Sequence, residues 1–476
     1  MRSFLSFYTI LALVIAWGLL ASCQKESYIT SPDASVLLRS DTLRFDTVFT
    51  SAGSVTKRFT IVNDNDQKLR IDRVSLSGGS GSAYAINING QAASQISNID
   101  VRSNDSIYVF VKVFIDPNNA ANPFMVRDSI QVEYNSTTQW VQLEAYGQNA
   151  RFINGGRIDA NTTWNAQLPW VILKPLTVTA GVTLTMQKGV RVFCNANAPI
   201  IVNGSLRCLG EAPENDRIIF RGDRTDATFR DYPGAWPGIV FAQGSTGNLL
   251  QYTHILNAYQ AIIAAGDANA SPAKLIMNQC VVDNAYDAGL FALNSSVIAN
   301  NCRFTQIGND GQPGIGGSNV IVTGGGSYTF EHCTMATYSN FFQNHKQPVL
   351  FISNSYNGTT APLHTQISNS IIYGEGGLPE NEILVSRTAG PAFNVLLQNV
   401  LYKAKDALAN VTLQNTIVNQ PPQFDSINTS LRFYNFRLRV VSPALNSGRT
   451  TSLSVDLDGL PRVAGTRPDM GSYERQ

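Results

Sequence analysis

Charged side chains are scarce in this chain of 476 residues, of which only 14% are Asp, Glu, Lys or Arg. The 35 Lys and Arg residues balance 34 Asp and Glu residues, so the net charge is +1. A nucleic-acid binder needs a basic excess to neutralise phosphates, and this class is therefore excluded. Disorder is excluded too, because a chain with 43% hydrophobic residues and almost no net charge is able to bury a core.

Long apolar runs are confined to the N-terminus, where a run from Phe7 to Leu20 follows the positive charge of Arg2. The run is shorter than the ~20 residues of a membrane span, so it predicts a signal peptide. Its end, Leu20-Ala21-Ser22-Cys23, resembles the lipobox of bacterial lipoproteins. The resemblance implies cleavage before Cys23 and lipidation of its thiol, with each buried CH₂ contributing ~0.8 kcal/mol to membrane attachment. An ordinary signal peptide with an incidental cysteine is the alternative.

The next residues, Gln24-Lys25-Glu26, resemble the charged export tag of surface lipoproteins from Bacteroidetes-type bacteria. This resemblance implies an outer-membrane lipoprotein on the cell surface, and a periplasm-facing anchor is the alternative. We therefore predict a lipoprotein signal peptide at 1–22 and a linker at 23–38.

Metal-site and disulfide patterns are missing from the rest of the chain. It contains four histidines and no Cys-x-x-Cys pair, so the spacing indicates no zinc site. Five cysteines remain after Cys23, an odd number at irregular spacing, and we predict buried, inert thiols. The disulfide status of Cys194 and Cys208 stays open.

With 37 glycines and many Asn, Ser, Thr, Val and Ile residues, the composition predicts an all-β fold. Residues 39–150 contain short runs of period-2 alternation, such as Ile107-Tyr108-Val109-Phe110-Val111, which predict an antiparallel sandwich. The phrases Phe59-Thr60-Ile61-Val62-Asn63 and Leu143-Glu144-Ala145-Tyr146-Gly147 resemble Hydin-like immunoglobulin domains of bacterial surface proteins. Such domains are implied to be spacers or adhesive modules.

Residues 151–440 contain short β runs about every ten residues without intervening helices, which predict stacked coils. A recurring phrase places a polar residue, often Asn, before a small or apolar one, as in Asn301-Cys302 and Asn369-Ser370. We expect the small residues to line the inside and each Asn to turn a corner, because Asn tolerates the left-handed bend. The stretch resembles right-handed parallel β-helices of bacterial surface lipoproteins.

The last residues, 441–476, are similar to the C-terminal signature of choice-of-anchor β-helix proteins. Three phrases carry the similarity: Ser442-Pro443-Ala444-Leu445-Asn446, Asp456-Leu457-Asp458-Gly459 and Pro468-Asp469-Met470-Gly471. We expect this segment to close the last coil and protect its open edge. A calcium site at Asp456 and Asp458 is the alternative, since carboxylates two residues apart suit oxygen ligation; no other cofactor is indicated.

Parallel β-helices include polysaccharide lyases and hydrolases, but this chain has neither an Asp-Asp pair nor a Gly-His-Gly motif. The remaining catalytic candidates are Asp283 and Asp287, four residues apart, with Arg224 from a charged loop at 221–232. Arginines in that loop are able to hold uronic-acid carboxylates bidentately. His345 is predicted to lie at the surface.

Five Asp-Ser/Thr-apolar triplets resemble the O-glycosylation acceptor of exported Bacteroidetes-type proteins, and the pattern is short enough to arise by chance. The acceptor residues are Thr42, Thr47, Ser106, Ser129 and Ser426.

These features together predict a lipid-anchored cell-envelope protein that binds glycans or adheres to a host or neighbouring cell without catalysing a reaction. A lyase or glycoside hydrolase acting on an acidic polysaccharide is the first alternative, and a structural envelope component is the second. The expected partners are the membrane and a polysaccharide or cell surface, and no nucleic acid.

Overall fold

The computed structural model describes residues 27–50, 53–118, 123–308 and 316–476. They form two compact units, which divide between Asn149 and Ala150. Strands dominate both units, and the described helices are two short 3-10 turns, Gly79–Gly81 and Glu214–Asp216. No described helix has the length and apolarity to cross a bilayer. The all-β prediction is confirmed.

The first unit is a sandwich of two sheets around one apolar core. Alternation explains the core: in the strand Asp105–Val113, the side chains of Val109, Val111 and Val113 are fully buried. Strands Tyr28–Ile29 and Val36–Leu38 pair within these sheets, so part of the segment predicted as a linker belongs to the sandwich. The first sheet comprises, in spatial order, Tyr28–Ile29, Lys68–Leu76, Phe124–Tyr134, Thr137–Gln148 and Thr42–Phe49, with Gln95–Val101 beside Lys68–Leu76. The second comprises Val36–Leu38, Lys57–Asn63, Asp105–Val113, Tyr84–Ile88 and Gln91–Ala92.

The second unit is a parallel β-helix with three faces, in which each strand pairs with its equivalent one coil later. The first face comprises Arg151–Ile153, Trp170–Ile172, Arg191–Cys194, Ile218–Gly222, Thr253–Leu256, Val281–Asp283, Arg303–Thr305, Thr334–Tyr338 and Ile417–Val418. The second comprises Gly156–Ile158, Leu176–Val178, Ile200–Val202, Ile239–Phe241, Gln260–Ala265, Leu350–Ser353 and Ile383–Ser386. The third comprises Thr162–Trp164, Thr183–Gln187, Ser205–Leu209, Asn248–Gln251, Leu275–Asn278 and Thr412–Gln414. Four longer strands each contribute to two faces: Ala288–Asn300, Val320–Glu331, Leu363–Glu375 and Phe393–Tyr402.

Inward-facing side chains from the three faces form one continuous core. Among them, the small residues of the recurring phrase are fully buried at Cys280, Cys302 and Cys333. Cys194 and Cys208 are also buried, and all five thiols are free. Burial raises the pKa of the Cys302 thiol, as expected for an inert sulfur. The prediction of buried thiols is confirmed.

At the corner between the third and first faces, the residue before the buried small residue of the recurring phrase adopts a left-handed backbone conformation. Backbone φ is +53° at Asn301, +53° at His332 and +50° at Asn369. This left-handed region suits Asn because its short polar side chain makes local hydrogen bonds. The Asn369 amide donates to His332 Nε2 of the preceding coil at 2.9 Å. The predicted role of the recurring phrase is confirmed.

The last parallel strand ends at Val418, and residues 419–476 return along the outside of the first face. We call this segment the C-terminal strap. It begins with an antiparallel hairpin, Phe424–Asn428 and Phe433–Leu438, whose aromatic side chains pack on Tyr338. Its far end reaches Arg217, which pairs with Asp458 at 3.1 Å. The expectation that the signature closes the last coil was wrong, because its apolar residues cover the side of the stack.

Candidate functional site: a pocket at the first corner

A pocket of ≈ 260 Å³ lies where the first face turns into the second face. Its floor is formed by the ends of successive first-face strands at Asn257, Asn284 and Gln306. One wall is formed by Arg221, near the end of the first-face strand Ile218–Gly222, and by Asp231 of the charged loop that follows, and the other is the strap hairpin. We call this cavity the corner pocket. It is built from two parts of the chain that are distant in sequence.

The floor is an amide ladder whose hydrogen bonds are used internally. Asn284 Nδ2 donates to Asn257 Oδ1 at 3.1 Å and to the Asp231 carbonyl at 2.9 Å. Gln343 Nε2 continues the ladder by donating to Asn284 Oδ1 at 3.1 Å. Gln306 exchanges hydrogen bonds with the backbone of Tyr338. These amide groups make their hydrogen bonds within the protein and hold the pocket walls in place. A ligand in the pocket would therefore be bound by the other polar side chains that line it.

Asp283 is one of the two acidic residues that line the pocket, the other being Asp231. Asp283 Oδ1 accepts a hydrogen bond from Thr305 Oγ1 at 2.5 Å. Burial raises the pKa of the Asp283 carboxyl, although Arg303 and Thr305 act in the opposite direction. Arg303 is itself held from the strap side, because its Nη1 donates to the Tyr473 hydroxyl at 2.9 Å.

Two arginines enter the pocket from opposite walls. Arg221 Nη2 donates to the Arg230 carbonyl at 2.7 Å, whereas its buried Nε has no hydrogen-bond partner among the described residues. Burial lowers the pKa of Arg221, and Asp231 partly offsets this. Arg432, from the strap, stacks on the Phe342 ring at 4.5 Å and contacts Asp231 at 3.2 and 3.5 Å.

Aromatic rings border the pocket. Tyr232 packs edge-on against Phe342 with ring centroids 4.7 Å apart, and Phe229 lies 5.3 Å from Tyr232. Phe341 beside them is 89% exposed. Tyr434 lines the pocket, and its hydroxyl accepts a hydrogen bond from Asn340 at 3.0 Å. Exposed rings beside convergent polar groups are typical of a ligand site.

The structure separates the three predicted catalytic residues. Only Asp283 lines the corner pocket. Asp287 lies past the corner, where its Oδ2 accepts from Gln260 Nε2 at 2.6 Å, and burial raises its pKa. Arg224 pairs with Asp226 at 2.8 Å on the exposed side of the loop. Of these three catalytic candidates, the corner pocket therefore contains one.

Sequence reasoning missed the strap residues of the pocket, Leu431, Arg432 and Tyr434. We interpreted their segment as part of the coil stack, whereas it forms the hairpin that folds back over the first face. The mixed basic and aromatic run from Arg432 to Arg437 was the available signal.

Asp456 and Asp458 have protein partners for their carboxylates. The buried Asp456 accepts hydrogen bonds from the backbone N–H groups of Asp458, Leu460 and Glu474 at 2.9 to 3.0 Å. Asp458 pairs with Arg217 and Arg437. Within the described ranges, no three His, Cys, Asp or Glu side chains group as metal ligands. These carboxylates stabilise the turn of the strap.

His345 is buried, contrary to our expectation of a surface position. Its side chain is 1% exposed, and its Nε2 lies 3.0 Å from Glu382 Oε1. The other oxygen of Glu382 accepts a hydrogen bond from the Val349 N–H. This pair fixes the loop after Tyr338 to the next coil.

The five candidate glycosylation acceptors all lie in strands with half-buried side chains. Ser129 Oγ is within 2.9 Å of Ser77 Oγ. The signal peptide at 1–22 and the lipidation candidate Cys23 lie outside the described residues.

No protein-family model and no curated protein matches the chain. Among solved structures, a family 123 glycoside hydrolase from Clostridium perfringens is 11% identical, with 24% of this chain and 26% of that chain covered and a TM-score of 0.17. The catalytic unit of a GH87 α-1,3-glucanase from Streptomyces thermodiastaticus is 11% identical, with 76% and 87% covered and a TM-score of 0.15. A protein of unknown function from Porphyromonas gingivalis is 10% identical, with 26% and 60% covered and a TM-score of 0.18. At these TM-scores the likenesses carry no argument about function.

Proposed function

We propose that this protein is a glycan-binding module of the bacterial cell envelope, tethered through a lipidated Cys23 and exposed on the outer surface. The sandwich serves as a spacer and the β-helix carries the binding site. Support for the tether comes from the lipobox resemblance at residues 20–23 and the charged residues that follow.

The observation that carries the proposal is the corner pocket beside its aromatic border. Sugar rings present apolar faces that pack on aromatic rings such as Phe342 and Tyr232, and hydroxyls that accept hydrogen bonds from guanidinium groups such as that of Arg432. Phe341, with most of its ring in solvent, extends this border beyond the pocket, as expected for a site that binds part of a long chain.

The test is retention of polysaccharides on the immobilised chain from Gln24 onward, with chain length measured afterwards. We expect retention of at least one polysaccharide without shortening. Replacing Phe342 by Ala removes the stacking surface of Arg432 and should weaken retention at least tenfold. Leu378→Ala is the control, because Leu378 is an exposed apolar side chain that neither lines the pocket nor lies under the Arg432 guanidinium, as Phe342 does. Equal retention by both variants would place the site elsewhere.

A polysaccharide lyase or hydrolase acting on an acidic polymer is the second candidate. The observation that favours it is the convergence of Asp283, whose pKa burial raises, with Arg221 and the Tyr434 hydroxyl in one cavity. A carboxyl whose pKa is raised by burial holds its proton more readily than a solvated one, which suits a general acid. Shortening of the retained chains that is abolished in Asp283→Asn would establish this candidate and refute the non-enzymatic proposal.

A further inference from the structure

We infer that the corner pocket recognises a sugar that carries a carboxylate, that is, a hexuronic acid unit. This inference rests on the proposed glycan-binding function and specifies the ligand class of the same site.

The polar groups that line the corner pocket differ in how many of their hydrogen-bond donors already have partners. The floor amides Asn257, Asn284 and Gln306 already satisfy one another or the backbone. Arg221 differs, because it lines the cavity and its guanidinium makes one hydrogen bond among the described residues, from Nη2 to the Arg230 carbonyl. Because a guanidinium carries five N–H donors, donors of Arg221 remain for an incoming acceptor.

The charged side chains around the corner pocket differ in whether an opposite charge is in contact with them. Asp283 is balanced by the neighbouring Arg303, and Asp231 pairs with Arg230 at 3.3 Å. No ion pair among the described residues involves Arg221. Its positive charge is left without a carboxylate in contact. One additional negative charge therefore fits the pocket, and a strongly polyanionic group does not.

Arg432 is positioned by its contact with the Phe342 ring. Its guanidinium carbon lies 4.5 Å from the centre of the Phe342 ring, and its Nη1 donates to the Asp231 carbonyl at 3.2 Å, so the other donors of the guanidinium remain for a ligand. The contact to Asp231 Oδ2 is long, at 3.5 Å. A carboxylate in the plane of an arginine is bound by two parallel N–H donors, which a hydroxyl does not match. The two arginines on opposite walls thus select an acidic sugar.

The test uses oligomers of galacturonic, mannuronic and glucuronic acid, each paired with the same oligomer after reduction of its carboxyl groups. We expect the chain from Gln24 onward to bind at least one acid form about 10- to 100-fold more tightly than its reduced form, the range for losing charge-assisted hydrogen bonds. Dextran sulfate serves as a nonspecific polyanion and should be retained poorly.

Arg432→Gln and Arg432→Lys should both weaken binding of the acid form at least several-fold more than binding of the reduced form, so that the preference for the acid form decreases. The lysine variant keeps the charge and loses the two-donor geometry. Arg224→Gln is the control, because Arg224 is an exposed arginine of the loop after the strand Ile218–Gly222 and pairs with Asp226 outside the pocket lining. It should bind like the wild type.

Equal binding of acid and reduced forms, binding of neutral polysaccharides only, or equal retention of dextran sulfate would overturn this inference while the glycan-binding proposal stands. Binding of no polysaccharide at all would overturn both.

Discussion

Arg462 is expected to be the strongest single attachment of the C-terminal strap. Its guanidinium is fully buried and donates to the carbonyls of Gly471 at 3.2 Å and Ser472 at 2.9 Å, and to Asn301 at the corner between the third and first faces. It also lies 3.7 Å from the Glu474 carboxylate, which is 1% exposed. Arg462→Met keeps a similar volume but removes the donor to the Gly471 carbonyl and to Asn301, and it leaves the Glu474 carboxylate without its cationic partner.

Removing one partner of a buried ion pair costs about 3–5 kcal/mol. If this cost falls on local opening of the strap, protection of its amides should drop by a factor of about 150 or more, because ~1.4 kcal/mol corresponds to tenfold. The assay is native-state hydrogen exchange at the N–H groups of Gly448 and Leu457, which bond to the Pro468 and Ser472 carbonyls. The rate should increase there and remain unchanged in the sandwich.

Arg467→Met is the matched control, because Arg467 is an exposed arginine of the same strap. The opening free energies derived from its exchange rates should stay within about 0.5 kcal/mol of those of the wild type. Replacing both Arg462 and Glu474 by apolar residues should recover part of the loss, since no uncompensated charge then remains buried. Equal exchange in Arg462→Met and Arg467→Met would refute this account of the strap.

Three further predictions concern the β-helix. Burial, together with Arg303 and Arg217, lowers the pKa of His254 to about 3. Between pH 7 and pH 5 the unfolded chain therefore takes up a proton at this histidine and the folded chain does not, so the free energy of unfolding should fall by about 2 kcal/mol. In His254→Gln, the fall over the same pH range should be smaller by that amount. Because φ is +57° at Asn284, Asn284→Ala should be less stable than Asn284→Gly by about 1 kcal/mol in urea unfolding, and equal stability would contradict the left-handed corner. The chain from Gln24 onward should react with a thiol reagent at all five cysteines after unfolding and at none in the native state; rapid native labelling would contradict their burial.

The repetitive part of the fold was predictable from the sequence. A polar residue that adopts positive φ, followed by a small residue that points inward, marks each corner, as at Asn301-Cys302 and Asn369-Ser370. Such phrases report local backbone conformation and burial, both of which depend on neighbouring residues and the adjacent coil. The alternation of the sandwich strands is local in the same sense.

The strap and the pocket were not predictable in this way. The C-terminal signature contains apolar and charged residues that need partners, but nothing in its spacing says whether they cover the end or the side of the stack. Arg221, Asp283 and Arg432 lie in one pocket although Arg221 and Arg432 come from distant segments. Arg224 was chosen because the loop is charged, yet its neighbour Asp226 satisfies it locally. Ion pairs of this kind determine which arginine can still bind a ligand. They depend on the folded conformation of the loop and are not visible in the sequence.

The most direct test of the account is a crystal structure of the chain from Gln24 onward with the most strongly retained acidic oligosaccharide. We predict one sugar unit in the corner pocket, with its carboxylate about 3 Å from Arg221 or Arg432 and a neighbouring ring packed on Phe342. An oligosaccharide bound on the sandwich or on another face of the β-helix, with the corner pocket empty, would contradict the central claim.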